Sequence, residues 1–438
     1  MGLNVKSRKL PRGGLDRFNV YLKCIEKEFG KEWLESRKGH PLMELWIRTD
    51  VFASIQLFQF GYSLKKLKNI NTKWFNDLIQ KIKTGSSGDR RGAVLEALFA
   101  SQLHMPPERV AELPRPNNPG YDIKVTQCNG SMIYYQVKNN NWSDQYYKAK
   151  EKARSVEEIF KENLGPDALQ VIIRITTDPD DRDWNILKNQ LPKLINETSS
   201  EEDIEKEIDG KWSIRFLKLH SADIPLHPNK KSYVMQLITP IHQAEKNKIK
   251  ININNACNDL EKKMESDMEK SINIVLICIP LDAPFALCGE WVNEYFQENP
   301  AARVSGVLLY KPGVVSEVER EEDYFSHAFH LVIKNEKRAW IKALTTLDIA
   351  IGKGSHSVEG INNIDNYFLL IDGAKRYDFK RHHVYQSGII NYLIDKNRCV
   401  KLRNLSGIQN HVFYIDSDRK EKEALIDMPR DTDLVLLR

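Results

Sequence analysis

The sequence predicts an α/β protein of several domains, and three observations carry that reading. At 438 residues the chain is long enough for two or three domains at about 150 residues each. Its 41% hydrophobic content is enough to fill real cores. Helical periodicity and alternating strand patterns succeed one another along most of its length. No run reaches the ~18 consecutive apolar residues of a membrane span. The basic opening MGLNVKSRKLPRGG lacks the apolar stretch of a secretory signal. A soluble, cytoplasmic protein without a membrane partner is expected. Six cysteines, scattered without a CxxC, fit free thiols in a reducing compartment better than a disulfide framework or a zinc site.

The first 84 residues read as a basic helical domain. LDRFNVYLKCIEKEFGKEWLE places Phe18, Tyr21, Leu22, Ile25 and Phe29 at helical spacing. HPLMELWIRTDVFASIQLFQFG and NTKWFNDLIQKIK supply two further helices. The segment TGSSGD, Thr84 to Asp89, reads as a flexible junction.

Residues 85–180 differ in kind. RRGAVLEALFASQLH is a helix and PERVAELPRPNNPG a proline-rich connection. YDIKVTQ and SMIYYQVKN alternate as strands. NWSDQYYKAKEKARSVEEIFKENL returns to helical period, and ALQVIIRITT is a short apolar strand. The order α-β-β-α-β is that of an α/β core. Residues 181–270 read as a mixed extension: charged helical stretches around Trp184–Asp209 and Gln243–Lys270 flank strand-like WSIRFLKL and KSYVMQLI. Residues 271–438 open with β-α-β, INIVLICIPLD, CGEWVNEYFQENP and VSGVLLYKP, and read as a second α/β region.

Charge is uneven. Residues 1–90 carry 18 Lys+Arg against 9 Asp+Glu, and residues 91–154 carry 9 against 6. The first 154 residues are therefore +12, leaving −7 for the rest of a chain whose net charge is +5. A basic third on a mildly acidic body points to a polyanionic partner, or to solvated surface alone.

The residues that carry chemistry are Glu96, Asp122, Gln136 and Lys138. Glu96 lies in VLEALFA, where its helical neighbours Gly92, Ala93, Phe99 and Ala100 are small or apolar. A carboxylate there faces a cavity, a cation or water, or else sits on a solvated edge. Asp122 follows Asn-Pro-Gly-Tyr, a turn opening a strand. Gln136 and Lys138 are two apart on the next strand and share a face, roughly 7 Å apart. The polar face of a strand is commonly just solvent, so register decides. A two-residue loop would put Asp122 opposite Val137. A three-residue loop, Cys128-Asn129-Gly130, puts it opposite Gln136, with Gly130 at the position that needs a left-handed backbone. In that register Asp122, Gln136 and Lys138 converge, and Glu96 on a helix packed against the sheet can reach them.

Two carboxylates and an amide oxygen are hard ligands suited to Mg²⁺. A lysine beside them can orient or deprotonate a water and offset charge on a phosphorane-like transition state. Together these are parts for hydrolysing a phosphodiester.

GYD, then QVK after a hairpin, with a Glu in the preceding helix, resembles the PD-(D/E)XK nuclease superfamily, the restriction-endonuclease-like fold. The resemblance covers about residues 85 to 178. It implies that Asp122 and Gln136 hold a Mg²⁺ for which Mn²⁺ could substitute, that Glu96 is the helix carboxylate, and that Lys138 acts at the water. Most members carry Asp or Glu where this chain has Gln136; Mrr-type restriction endonucleases and relatives share the QxK variant.

The expectation is a metal-dependent DNA endonuclease. Its length, accessory regions and lack of a nucleotide-binding motif fit restriction or anti-phage defence, by analogy alone. RNA or branched DNA are alternative substrates of the same chemistry, and a nucleic-acid-binding or assembly protein with a vestigial nuclease fold is a rival of another class. Arg90 and Arg91 could meet a DNA backbone or be charges near a helix cap. Cleavage of both strands would favour a homodimer. His382 and His383 read as basic surface, His327 and His330 as an incomplete ligand pair, and IGKGSHSVEG as no phosphate-binding loop.

Overall fold

In a computed structural model, residues 14–36, 39–48, 51–104, 106–107, 109–113, 120–165, 169–197, 203–218, 233–261, 271–280, 283, 285–317, 322–334, 382–388, 390–395, 398–404, 408–415 and 421–427 are described. The chain is α/β with mixed sheets and divides into two units. One comprises Met1–Asn141, Ile249–Asn363 and Val412–Arg438; the other comprises Trp142–Lys248 and Ile364–His411. These divisions cut across the sequential boundaries at 84, 180 and 270, because packing joins segments far apart in the chain.

Six helices open the first unit: α1 (Gly14–Phe29), α2 (Lys31–Ser36), α3 (Pro41–Ile47), α4 (Val51–Leu67), α5 (Thr72–Thr84) and α6 (Ser87–Leu103). The second helix expected from sequence is two. The His40 ring accepts the Leu42 amide and caps α3, which ends at Arg48. Nor is TGSSGD a loose junction. Ser86 and Asp89 form a reciprocal capping box that starts α6. Gly85 packs so tightly that a Cβ would lie 2.5 Å from the Lys81 carbonyl oxygen.

The proline-rich connection contains a strand, β1 (Arg109–Glu112), and β2 (Ile123–Gln127) and β3 (Met132–Asn139) follow. All three are antiparallel. The next neighbour of β3 is not the apolar strand expected from ALQVIIRITT. It is β8 (Ser271–Cys278), which runs parallel to β3 and to β9 (Gly306–Glu317). Every residue of β8 is buried, the pattern of a central parallel strand covered on both faces. β10 (Glu322–Ile333) and β15 (Glu421–Asp427) pair antiparallel with β9. The β-α-β read as a second α/β region, which includes α10 (Phe285–Glu298), thus belongs to the same sheet as β1–β3.

One core joins the helices to this sheet. Phe18, Ile25, Leu57, Phe60, Phe75 and Ile82 of the helical segment share a buried cluster with Val94, Leu98, Ile123, Tyr135, Val137, Ile274 and Leu276. The described helices from Gly14 to Thr84 therefore contribute to this unit's core.

The second unit holds α7 (Asp144–Asn163), β4 (Leu169–Ile175), α8 (Asp181–Glu197), β5 (Asp203–Ile208), β6 (Trp212–Lys218), β7 (Tyr233–Pro240) and β11 (His382–Gly388), with strand order β11-β7-β4-β6-β5. β5 falls in a stretch expected to be helical. Asp209-Gly210, both with positive φ, turns it into β6, and a DG pair between strands is a hairpin turn. Helix α9 (Gln243–Glu261) begins in this unit and from Ile249 onward belongs to the first. Between β3 and the part of that helix in the first unit, the chain inserts Trp142–Lys248, the larger of the second unit's two segments. β12 (Ile390–Asp395), β13 (Arg398–Asn404) and β14 (Ile408–Ile415) pair in antiparallel succession. Among the described residues no helix is long and apolar enough to cross a membrane. Cys24, Cys128, Cys257, Cys278 and Cys288 are free thiols.

Candidate active site

The β2–β3 hairpin positions the predicted residues through its turn. Gly130 N–H donates to the Gln127 carbonyl at 2.9 Å, Gln127 N–H donates to Ser131 O at 2.9 Å, and Gly130 has φ +79°. The loop is therefore Cys128-Asn129-Gly130, a type I turn closed by a left-handed glycine. Pairing runs from Thr126↔Met132 to Ile123↔Tyr135; the expected rung Asp122↔Gln136 does not form, because Asp122 lies just before β2 and its N–H turns to the Tyr135 carbonyl.

Asp122 ends the ladder with its side chain. Its N–H donates to the Tyr135 carbonyl at 2.9 Å, and its Oδ2 accepts the Val137 N–H at 2.7 Å. A carboxylate on a strand amide lies near the plane of the sheet, between the two faces. From one face comes α6, which shares its core with Tyr135 and Val137. Gln136 and Lys138 point to the other face by strand parity. Gln136 is 3% exposed.

Glu96 projects from α6 where Gly92, one turn back, leaves room: a Cβ there would lie 3.9 Å from Glu96 Oε1. Its side chain is 14% exposed. Lys81 of α5 reaches it, Nζ to Oε1 3.3 Å. Burial, and next the charge of Asp122, push the Glu96 carboxyl up to about 7, against the pull of Lys81 and Lys138. Burial likewise raises Asp122, with the Asp259 charge adding to it; the Val137 amide, Lys138 and Lys81 oppose the rise. Burial thus raises both carboxyls, and the Asp122 charge raises Glu96 further.

Lys138 donates to Oδ2 of Asp259 on α9 at 3.0 Å. Glu96, Asp122 and Lys138 form one electrostatic cluster with two partners that the motif did not identify, Lys81 and Asp259. Neither had a local signal. Lys81 sits on the amphipathic α5, and Asp259 lies 121 residues beyond Lys138.

Arg90 and Arg91 occupy the start of α6 with their Nε atoms buried. The largest charge effects on Glu96 and Asp122 come from Lys81, Lys138 and Asp259 and from each other. His383 is not basic surface: it is 4% exposed, its ring 4.7 Å from those of Trp142 and Tyr146. His330 is exposed, and the His327 side chain and IGKGSHSVEG lie outside the described residues.

A divalent cation fits this donor set. Two neighbouring carboxylates that burial and mutual repulsion drive toward protonation are what a cation relieves. Asp122 and Glu96 would hold it. Among the described residues, no group of three or more His, Cys, Asp or Glu is arranged to hold a metal. No protein-family model, curated protein or solved structure matches this chain.

Proposed function

We propose that the protein is a Mg²⁺-dependent endonuclease of the PD-(D/E)XK type that hydrolyses phosphodiester bonds in DNA, and that it serves restriction or anti-phage defence. The observation that carries this reading is the Asp122 carboxylate held on the Val137 amide, between Gln136 and Lys138, where its charge reaches Glu96. The element order supports it. If Trp142–Lys248 is set aside, α6, β1, β2, β3, α9 and β8 run in the order α-β-β-β-α-β, one strand more than expected from sequence, with β8 parallel to β3.

When bound, the cation polarises the phosphodiester and acidifies a water. The Val137 amide fixes the Asp122 carboxylate, so little reorganisation remains for the reaction. Glu96 completes the anionic pair. Lys138 holds its ammonium at the same cluster, where it orients the attacking water and offsets charge developing on phosphorus. Asp259 fixes the direction of Lys138. The basic helical segment contributes phosphate contacts, with Arg90 and Arg91 near the site. One such site cuts one strand, so cleavage of both strands calls for two copies of the chain.

The test is plasmid nicking by purified protein in Mg²⁺, in Mn²⁺ and in EDTA, beside single-stranded DNA and RNA. Nicking of plasmid in metal alone supports the proposal. Tight DNA binding without cleavage in any metal would favour a binding protein with a vestigial nuclease fold.

A further inference from the structure

We propose that Lys81 is a built-in counter-ion that occupies the cation's place beside Glu96 in the metal-free protein and is released to the substrate phosphate when the cation binds. This rests on the reading of Glu96 and Asp122 as the cation's ligands, and gives a specific task to a residue of the helical segment.

Five charged groups meet here. Lys138 and Asp259 neutralise each other at 3.0 Å. That leaves Glu96 and Asp122 with Lys81, whose Nζ lies 3.3 Å from Glu96 Oε1. Lys81 acts on three carboxylates: it favours the ionised form of Glu96, of Asp122 and of Asp89, seven residues before Glu96 on α6. Its side chain is 45% exposed, against 14% for Glu96. It is therefore a charge on a long, half-exposed stem paired with a largely buried carboxyl.

A divalent cation and an ammonium cannot share Glu96 cheaply. With both carboxylates ionised, as cation binding requires, the three groups sum to −1 with Lys81 in place. Adding a cation makes the sum +1, and Lys81 is the only member on a long exposed stem. It is displaced outward, where a phosphate would approach a site that has just become positive. The same ammonium thus opposes cation binding in the free protein and favours substrate once the cation is in. These opposite signs separate this role from a structural ion pair, whose loss would weaken both steps or neither.

The experiment uses the full chain without nucleic acid. Mg²⁺ and Ca²⁺ are titrated calorimetrically into wild type, Lys81→Met and Lys81→Arg, and thermal unfolding is followed for each. Lys81→Met should bind cation at least about tenfold more tightly than wild type, since a unit charge this close to a divalent ion repels it on that scale even at the dielectric of water. Lys81→Arg should stay near wild type. In Ca²⁺ with a duplex, Lys81→Met should bind DNA more weakly, with a salt slope lower by about one. Equal or weaker cation affinity in a folded Lys81→Met protein would overturn the counter-ion role, and an unchanged salt slope would overturn the handover to phosphate. If wild type takes up neither cation, the metal site itself is wrong and the inference falls with it. If wild type binds and the variant matches it, only the inference falls.

Discussion

Oδ2 of Asp122 accepts the main-chain N–H of Val137 at 2.7 Å, so the candidate ligand is tied to the backbone between Gln136 and Lys138. Asp122→Asn keeps an oxygen for that amide and should leave the melting temperature near wild type. Asp122→Ala leaves the amide unpaired, at about 1–3 kcal/mol. Both should lower plasmid nicking at least about a hundredfold, since a held metal carries several kcal/mol of transition-state stabilisation. An Asp122→Asn protein that nicks at the wild-type rate would remove Asp122 from the site.

Gln136 offers a cation only a neutral oxygen. Gln136→Glu supplies a charged one of nearly the same shape and should lower the Mg²⁺ concentration for half-maximal nicking roughly tenfold. Gln136→Leu should raise it, because a hydrated cation would face an apolar group. The maximal rate is a poorer guide, since a new carboxylate two residues away favours protonated Lys138. Superimposable metal titrations for the three proteins would mean that Gln136 does not touch the metal.

Lys138 and Asp259 should behave as a unit. Lys138→Ala should abolish cleavage. Asp259→Ala, which leaves the lysine present but unanchored, should cost roughly tenfold. The double variant should be no worse than Lys138→Ala, the non-additivity of residues acting through one another. Fully multiplicative losses would show that Asp259 acts elsewhere.

Glu96 carries a pH signature. Its carboxyl is raised to about 7 from an ordinary 4.5, by burial first and Asp122 second. A raised acid is taken up more readily by the folded protein than by the unfolded chain. Its contribution is therefore fully present below pH 4.5 and is lost as pH rises through 7. The metal-free protein should lose on the order of 2–3 kcal/mol across that window from this group. Glu96→Gln should flatten the loss and raise the melting temperature at pH 8. Mg²⁺ should stabilise wild type at pH 8 and stabilise Glu96→Gln far less. Parallel melting curves against pH for the two proteins would contradict the buried, repelled carboxylate.

What could be read from sequence was local. The alternation of YDIKVTQ and SMIYYQVKN, and a glycine suited to a left-handed turn, led to the three-residue loop; the expected rung Asp122↔Gln136 was not met, because the Asp122 N–H bonds the Tyr135 carbonyl and its carboxylate takes the Val137 amide. Glu96 stood out because its helical neighbours are apolar. Sheet partnership was not legible. β3 takes its parallel neighbour from β8, beyond an insertion of more than 100 residues, and β4 is as apolar as β8. Lys81 and Asp259 were invisible for the same reason, since only the fold brings them to Glu96 and Lys138. The hairpin turn at Asp209-Gly210 was legible and was lost to the charged, helix-like run before it. His383 looked like surface because Lys380, Arg381 and His382 precede it; its burial against Trp142 depends on β11 pairing with β7.

The central claim is that Glu96, Asp122, Gln136 and Lys138 make a metal-dependent phosphodiesterase site. The most direct measurement is supercoiled plasmid incubated with purified wild type, Asp122→Asn and Lys138→Ala in Mg²⁺ and in EDTA, with folding verified by circular dichroism. The account predicts nicked and linear products from wild type in Mg²⁺ only, and none from either variant. Folded wild-type protein that leaves plasmid, single-stranded DNA and RNA intact in both Mg²⁺ and Mn²⁺ would contradict it, as would cleavage that persists in EDTA or in Asp122→Asn.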